Sequence, residues 1–556
     1  MHPQSCLAGM VLIASSATAS IIASDDVPLI GPSFLSNFDI SKGSYLEEAK
    51  YKFPLLIEEL FEVGDLNKTD LIFAVDVFSA ATNDSLYSYY HVGEGYKDTL
   101  TKGELSEETI FRIGSVTKLF TVYAIIAKAG MEVLSYPVTI FLPELLSNSS
   151  NNPIERIDWS EITVGALAAH QAGSGGTGGY FRTNPDTTGD DRREFLNYMR
   201  DQQYPTIASN RNALYSDAGY GVLTLILERL TGQEYRDAVR DVIFEPLGMN
   251  SSSATVPSGT DVNAVNRTGI GSWGLDIPVV AGSGGIYSSA KDLRLAGLSI
   301  LNSKLLLPYT TREWMKPCSS TGVLVELVGA PWEITRLTLP IGPGSNRTRI
   351  SDIYIKAGGN GDYTSILALS PDHGIGFSLM LAGDTATQAR WPLRDTVGET
   401  FITAAEFAAA ESAENNLTGT FIVEGFESSN ITIEVTKGEP GLNLTAFFLK
   451  GEDQLANFTS ARLYPTGLYS NSRSLSPLYN TKGNVSVAFR QVSGLPSPPP
   501  VRAAVEGGKG GLFDNTFSWM NVGSGGAVDE FIFDLQDTRV VGIKNPGYEV
   551  EFVRAN

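Results

Sequence analysis

Between residues 111 and 130, Leu119, Tyr123, Ile126 and Ala127 recur at helical spacing, Phe120 and Ala124 widen the stripe, and Gly130 ends it. The pattern predicts a helix apolar enough to be buried. Residues 45–63 repeat the same period with acidic residues between the apolar ones and Pro54 as a break or kink, which predicts a surface helix. Residues 71–79 and 86–92 are β-branched and aromatic runs parted by Ala80-Ala-Thr-Asn-Asp-Ser, a hairpin signature. Further on, residues 162–173 predict a capped helix ending at Gly173, and residues 218–230 a long apolar helix stopped at Gly232. A second helix over 233–249 closes with Pro246-Leu-Gly-Met, and residues 281–293 form a tight glycine turn that leads into a helix. Strand patterning returns at 352–365, 366–370 and 375–382. Strands on both flanks of a helical middle imply one sheet built from both ends of a domain, with helices packed on it.

A change of texture follows an alanine- and glutamate-rich helix at 404–413. Strand-like runs at 419–424, 431–435, 442–449, 485–492, 530–534 and 548–553 alternate with turns, and helical periodicity disappears. This predicts a separate all-β domain, with Gly494-Leu-Pro-Ser-Pro-Pro-Pro500 as a stiff extended loop inside it.

The chain has 556 residues, more than one ordinary core organises. Its net charge of −21 argues against nucleic acid or anionic membrane as partners, since both call for basic patches. Residues 7–23 form a short apolar run with small residues at Ala17-Thr-Ala19, read as a signal peptide although no lysine or arginine precedes it. No other stretch approaches the length of a membrane span, so stable membrane insertion is not expected. Sequons at Asn67, Asn83, Asn148, Asn250, Asn266, Asn346, Asn416, Asn430, Asn443, Asn457 and Asn484 favour a eukaryotic secretory route and an extracellular destination. Cys6 and Cys318 are the only cysteines, and the first would leave with a signal peptide, which excludes a cysteine metal site. The expected organisation is a signal peptide at 1–24, an α/β domain at 25–412 and a β-rich domain at 413–556.

Chemistry gathers at the entrances of the two apolar helices. Ser115 and Lys118 stand three apart and share a helix face. An ammonium in apolar surroundings loses pKa and can serve as a base toward a neighbouring hydroxyl. Tyr215-Ser-Asp217 repeats the arrangement at the second helix, and Lys356-Ala-Gly358 stands where a strand enters a glycine-rich turn. His170 reads as a hydrogen-bonded structural histidine. The loop Gly173-Ser-Gly-Gly-Thr-Gly-Gly179 lacks the strand and Gly-Lys-Ser/Thr of a phosphate cradle and reads as a flexible rim.

Taken together, Ser115-Val-Thr-Lys118, Tyr215-Ser-Asp217 and Lys356-Ala-Gly358 resemble the serine β-lactamase and penicillin-binding-protein superfamily, nearest to its class C, D-aminopeptidase and family VIII esterase-like branch. Phe111-Arg-Ile-Gly, the 162–173 helix, Pro246-Leu-Gly-Met and Gly284-Gly-Ile-Tyr-Ser-Ser-Ala-Lys-Asp-Leu add to the likeness, which covers residues 40–412 and has the texture of secreted fungal members. The resemblance implies a mostly antiparallel sheet flanked by helices, followed here by the extra all-β domain. It implies Ser115 as acyl-forming nucleophile with Lys118 and Tyr215 as proton-transfer partners. Lys356 would orient an anionic or polar part of the substrate, and the amides of Ser115 and Gly359 would form an oxyanion hole, with Gly358 and Gly359 allowing close approach of backbone to substrate. Two positions depart from the family pattern. Asp217 stands where an asparagine is usual, exchanging an amide donor for a charge, and Ala357 replaces a threonine. An acidic Asp217 pairing with Lys118 would keep it charged and leave Tyr215 as the principal base.

The expected function is that of a secreted serine hydrolase that acts through an acyl-enzyme on a small-molecule ester or amide, with β-lactams or D-peptides among the candidates and no cofactor or metal. Acyl transfer or cyclisation on a secondary metabolite is one alternative, since the acyl-enzyme accepts whichever nucleophile reaches it. A non-catalytic secreted binding glycoprotein is the other. A Ser-His-Asp hydrolase is disfavoured, because the chain has four histidines and no G-x-S-x-G elbow. Oligomeric state is left open.

Overall fold

The structure is a computed structural model that describes residues 31–35, 39–146, 152–176, 189–266, 272–345, 347–470, 484–494 and 525–555. The expected signal peptide, the stiff proline loop, most of the glycine-rich rim loop, and the sequons at Asn148 and Asn346 lie outside the described residues. The chain divides into two compact units, one of residues 47–337 and 352–402, the other of residues 1–46, 338–351 and 403–556.

The first unit opens with the helix Ser44–Val63, which runs through Pro54. The hairpin follows as β1 (Ile72–Ser79) and β2 (Asp84–Val92), paired antiparallel. Next come β3 (Ile110–Arg112) and β4 (Tyr287–Ser289), which form a small ladder of their own across the helical middle. The chain then lays down β5 (Ser319–Ser320), β6 (Glu326–Val328), β7 (Glu333–Pro340), β8 (Thr348–Asn360), β9 (Tyr363–Ser370) and β10 (Ile375–Ala382). The sheet order is β2-β1-β10-β9-β8-β7-β6-β5, so the amino-terminal hairpin joins the later strands through β1 and β10, as the patterning required. Every residue of β1, β9 and β10 is buried, which explains why they read as continuous apolar runs rather than alternating ones.

Two helices carry the site. Thr117–Ala129 is buried from Thr117 to Ile126 and stops at Gly130, whose φ of 79° admits few side chains. Asp217–Thr231 starts at Ser216, whose hydroxyl accepts from the Gly219 amide, and ends at Gly232 with φ 72°. The 162–173 stretch departs from expectation. It forms only the short helix Val164–Ala168, capped by Thr163, and the chain takes a left-handed conformation already at His170 (φ 58°), before Gly173 (φ 76°). The long helix Ala386–Leu417 starts well before the expected residue 404 and continues through Pro392.

The second unit is a closed barrel. Its strands are β11 (Gly419–Val423), β12 (Phe426–Val435), β13 (Leu442–Leu449), β14 (Glu452–Asp453), β15 (Ser460–Tyr469), β16 (Asn484–Gly494), β17 (Glu530–Gln536), β18 (Arg539–Asn545) and β19 (Val550–Arg554). The order β12-β11-β19-β18-β17-β16-β15-β13 closes through a β12–β13 pairing, with β14 appended to β13. Eight strands leave an interior that side chains fill. Phe421, Phe447, Phe489, Phe531, Phe533 and Phe552 fill this one, with Ile431, Leu463, Val487 and Ile543 between them. Phe489 and Phe533 meet at 4.4 Å between ring centroids. Replacing Phe489 by Ala should therefore destabilise the barrel by about 3 to 5 kcal/mol. The check is the denaturant midpoint of the barrel transition, and a midpoint equal to wild type would contradict this packing.

Candidate active site

Ser115 sits in the turn Gly114–Val116 that immediately precedes the buried helix. Lys118 Nζ donates to Ser115 Oγ at 2.9 Å, to Asp217 Oδ1 at 2.6 Å and to the Ser283 carbonyl at 2.7 Å. All three hydrogens of the ammonium are thus used. Its side chain is fully buried, and a buried charge persists only when it is paired and hydrogen-bonded. Burial lowers the Lys118 pKa to about 8, Asp217 pulls it up against that trend, and Lys356 pushes it further down.

Each acceptor is held by its own scaffold. Asp217 is the first residue of its helix, where a carboxylate is favoured by the helix dipole. Ser283 lies in a segment fastened to both buried helices: Thr121 Oγ1 donates to the Gly282 carbonyl at 2.8 Å, and the Gly282 amide donates to Thr224 Oγ1 at 3.0 Å. The Ile286 amide donates to Thr117 Oγ1 at 3.1 Å.

Tyr215 is placed by the residues that begin the glycine-rich loop. The Gly176 amide donates to the Tyr215 carbonyl at 2.8 Å, and the Asp217 amide returns a bond to the Gly176 carbonyl at 3.1 Å. His170 stacks on the Tyr215 ring at 4.4 Å, and its Nδ1 accepts from the Ser216 amide at 3.1 Å. Burial, together with Lys118 and Lys356, holds this imidazole well below its ordinary pKa and therefore neutral. His170, read from the sequence as a hydrogen-bonded structural histidine, here packs against Tyr215.

The Tyr215 ring lies 4.9 Å from Lys118 Nζ and 5.4 Å from Lys356 Nζ. The phenol's pKa is raised above its ordinary value, by desolvation and by the like charge of Asp217 against a hydrogen bond with Ser115, but the residue keeps 41% of its surface exposed, which tempers that shift. The upward direction at Tyr215 points away from it as principal base, and Lys118, with a pKa of about 8, is the group nearest to a useful value.

The glycines at the end of β8 meet the Ser115 turn backbone to backbone. A methyl group at Gly358 would lie 2.0 Å from the Ile113 carbonyl oxygen and 2.8 Å from the Ser115 amide nitrogen. Gly114, at φ 49°, faces Gly359 in the same way, its missing Cβ falling 2.5 Å from the Gly359 nitrogen. Ser365 Oγ donates to the Ile113 carbonyl at 2.8 Å and locks this contact. At Gly358 the close approach is made by the chain's own turn, whereas a Cβ at Gly359 would meet no protein atom nearer than 3.7 Å.

Lys356 is buried and its ammonium is occupied. It donates to Glu333 Oε1 and to the Ala357 carbonyl, the latter at 2.9 Å, while Glu333 Oε2 accepts from the Ala357 amide at 3.1 Å. The expected handle for an anionic substrate group therefore already holds a carboxylate. A cavity of about 420 Å³ opens over these residues, lined by Ser115, Tyr215, Glu333, Lys356, Gly359 and Arg390 among others. Arg390 Nη1 donates to the Gly358 carbonyl and to Thr364 Oγ1, each at 2.7 Å. Glu333, Ser283 and Arg390 were missed from sequence. Ser283 fell inside a recognised glycine segment but acts through its carbonyl, and Glu333 belongs to no motif. Among the described residues no three His, Cys, Asp or Glu side chains gather as a metal-binding group, and no helix is long and apolar enough to cross a membrane.

The class defined by this sheet, these two helices and the Ser-Lys, Tyr and Lys elements matches a described family. A family model named Beta-lactamase matches residues 77–398, more than half of the chain, and the chain belongs to that family. A second model, "Beta-lactamase-like-like, C-terminal domain", matches residues 409–556. The chain is 28% identical over 374 residues to a "Beta-lactamase-like protein" of Arthroderma benhamiae, covering 61% of this chain and 60% of that one. It is 24% identical to "Probable hydrolase M10" of a Phoma species, over 69% of this chain and 66% of the relative. The chain thus spans just under two thirds of the length of these relatives. A solved class C β-lactamase aligns at 17% identity with a TM-score of 0.48, over 65% of this chain and 98% of that one.

Two substitutions test the geometry. Gly358→Ala should cost about 3 kcal/mol or more through the clash with the Ile113 carbonyl, whereas Gly359→Ala should leave the melting temperature within a degree or two of wild type. Equal melting temperatures for both variants would contradict the contact.

Proposed function

We propose that this chain is a secreted serine hydrolase that acts through an acyl-enzyme on a small-molecule ester or amide. The observation that carries the reading is the Ser115 hydroxyl, 2.9 Å from a buried ammonium whose pKa is near 8, at the edge of a ligand-sized cavity. Ser115 Oγ attacks the substrate carbonyl while neutral Lys118 takes its proton. Tyr215, hydrogen-bonded to Ser115, is placed to pass a proton to the leaving group and to be reprotonated by the Lys118 ammonium, which returns both groups to their starting states. The bond from carbonyl carbon to leaving group breaks, an ester of Ser115 forms, and water repeats the sequence to release the acid. The amides of Ser115 and Gly359, brought together by the glycine contact, would stabilise the oxyanion; such a donor is typically worth about 3 to 4 kcal/mol of barrier. The names of the fungal relatives support hydrolase chemistry, and the apolar amino-terminal run supports secretion. So do the sequons, since none of the nine described sequon asparagines is buried.

Intact mass after exposure to a fluorophosphonate, a penicillin and a short-chain nitrophenyl ester tests the nucleophile. An adduct or turnover is expected in wild type and neither in Ser115→Ala; with folded protein, silence toward all three would favour a binding glycoprotein. The rate profile against pH tests the base. Because a neutral Lys118 is required, kcat/KM should rise through about pH 8. Asp217→Asn removes the charge that raises the Lys118 pKa, so the rise should move lower by about one pH unit or more. A profile that superimposes on wild type would contradict Lys118 as base.

A further inference from the structure

Glu333 is the first residue of β7, and its side chain is 42% exposed where the cavity opens. Its two oxygens are nevertheless both committed, one to the Lys356 ammonium and the other to the Ala357 amide at 3.1 Å. A side-chain cation and a backbone N–H converging on two oxygens make the arrangement a strand end uses to hold a bound carboxylate, and here the carboxylate is supplied by the chain itself. Around it the other two cations of the cavity are held in part, Arg390 by neutral oxygens only and with its buried Nε unpartnered among the described residues. Arg390 is bonded to Gly358 and Thr364, and Arg394 is paired with Asp395 at 2.6 Å. A second carboxylate, Glu326, lines the same cavity from β6.

We propose that Glu333 is a specificity-determining residue: it occupies the anion-holding position at Lys356 and Ala357, so that the cavity selects acyl donors without a carboxylate and rejects those that carry one. An incoming carboxylate faces two costly options. It displaces Glu333 and leaves a desolvated charge unpaired, or it lies beside Glu333 as a like charge. The choice of esters below rests on the acyl-enzyme reading, whereas the occupancy of the position does not.

The test compares wild type with E333Q, which keeps shape and removes charge, and with E333A as a second variant. The substrates are the 4-nitrophenyl ester of pentanoic acid and the 4-nitrophenyl monoester of glutaric acid, which differ by the terminal carboxylate. The ratio of kcat/KM for the anionic over the neutral ester should rise about 10-fold or more in E333Q, and the rise should vanish in E333Q/K356M. Independently of turnover, glutarate binding is measured by calorimetry in a Ser115→Ala background. Affinity should increase about 10-fold or more with E333Q, again only while Lys356 is present. An unchanged ratio together with unchanged glutarate affinity would overturn the role of Glu333. Gained glutarate affinity in protein that turns over neither ester would uphold it and count against the acyl-enzyme reading instead.

Discussion

The site depends on one buried ammonium. Lys118 has no water to fall back on, so its three hydrogens must find protein acceptors, and the chain supplies them from three separated segments: Ser115, Asp217 and Ser283. Meeting that demand draws the entrances of two helices and the later helical turn Ala281–Gly284 to one point. It also sets the chemistry. The charge is stable enough to be held and costly enough to be surrendered near pH 8, a balance struck between burial and Asp217. An asparagine in place of Asp217 would keep a hydrogen-bond acceptor while removing the opposing charge.

A second constraint is steric. Because β8 meets the Ser115 turn through Gly114 and Gly358 with no side chain between them, the amides of Ser115 and Gly359, the proposed oxyanion donors, are held by backbone contact rather than by flexible groups. Interiors packed this closely do not adjust by fractions of an ångström without cost, and that rigidity suits a site whose donors must be in place before charge develops. The same strand end carries Lys356, whose charge is already answered by Glu333. In this account the positive charge of Lys356 is already answered, so selectivity follows from whether an incoming group would have to break that pair.

Much of this was legible in the residues. The hairpin, the two apolar helices with their glycine stops and the sheet assembled from both flanks followed from periodicity, and Ser115, Lys118, Tyr215, Asp217, Lys356 and Gly358 are all drawn into one region. What escaped had physical reasons. β15 contains Pro465 and Gly467 and shifts register between Pro465 and Tyr469, and β18 carries Gly542 in its middle, so neither read as a strand. The 162–173 helix was overestimated because His170 takes a left-handed conformation that suits stacking on Tyr215 and accepting from Ser216. Barrel closure through β12 and β13 depends on pairing between strands and leaves no local signature. Glu333 lies 23 residues from Lys356 in sequence and meets it only because β7 and β8 are neighbours in the sheet.

The most direct test of the central claim is the titration of Lys118 itself, followed by NMR of protein labelled at the lysine side-chain carbons and assigned by comparison with Lys118→Met. The account predicts a midpoint near pH 8 for this one lysine, with the remaining lysines near their ordinary range. A Lys118 midpoint at or above 10 would mean that the ammonium stays charged throughout the working range, and its role as the base toward Ser115 would fall.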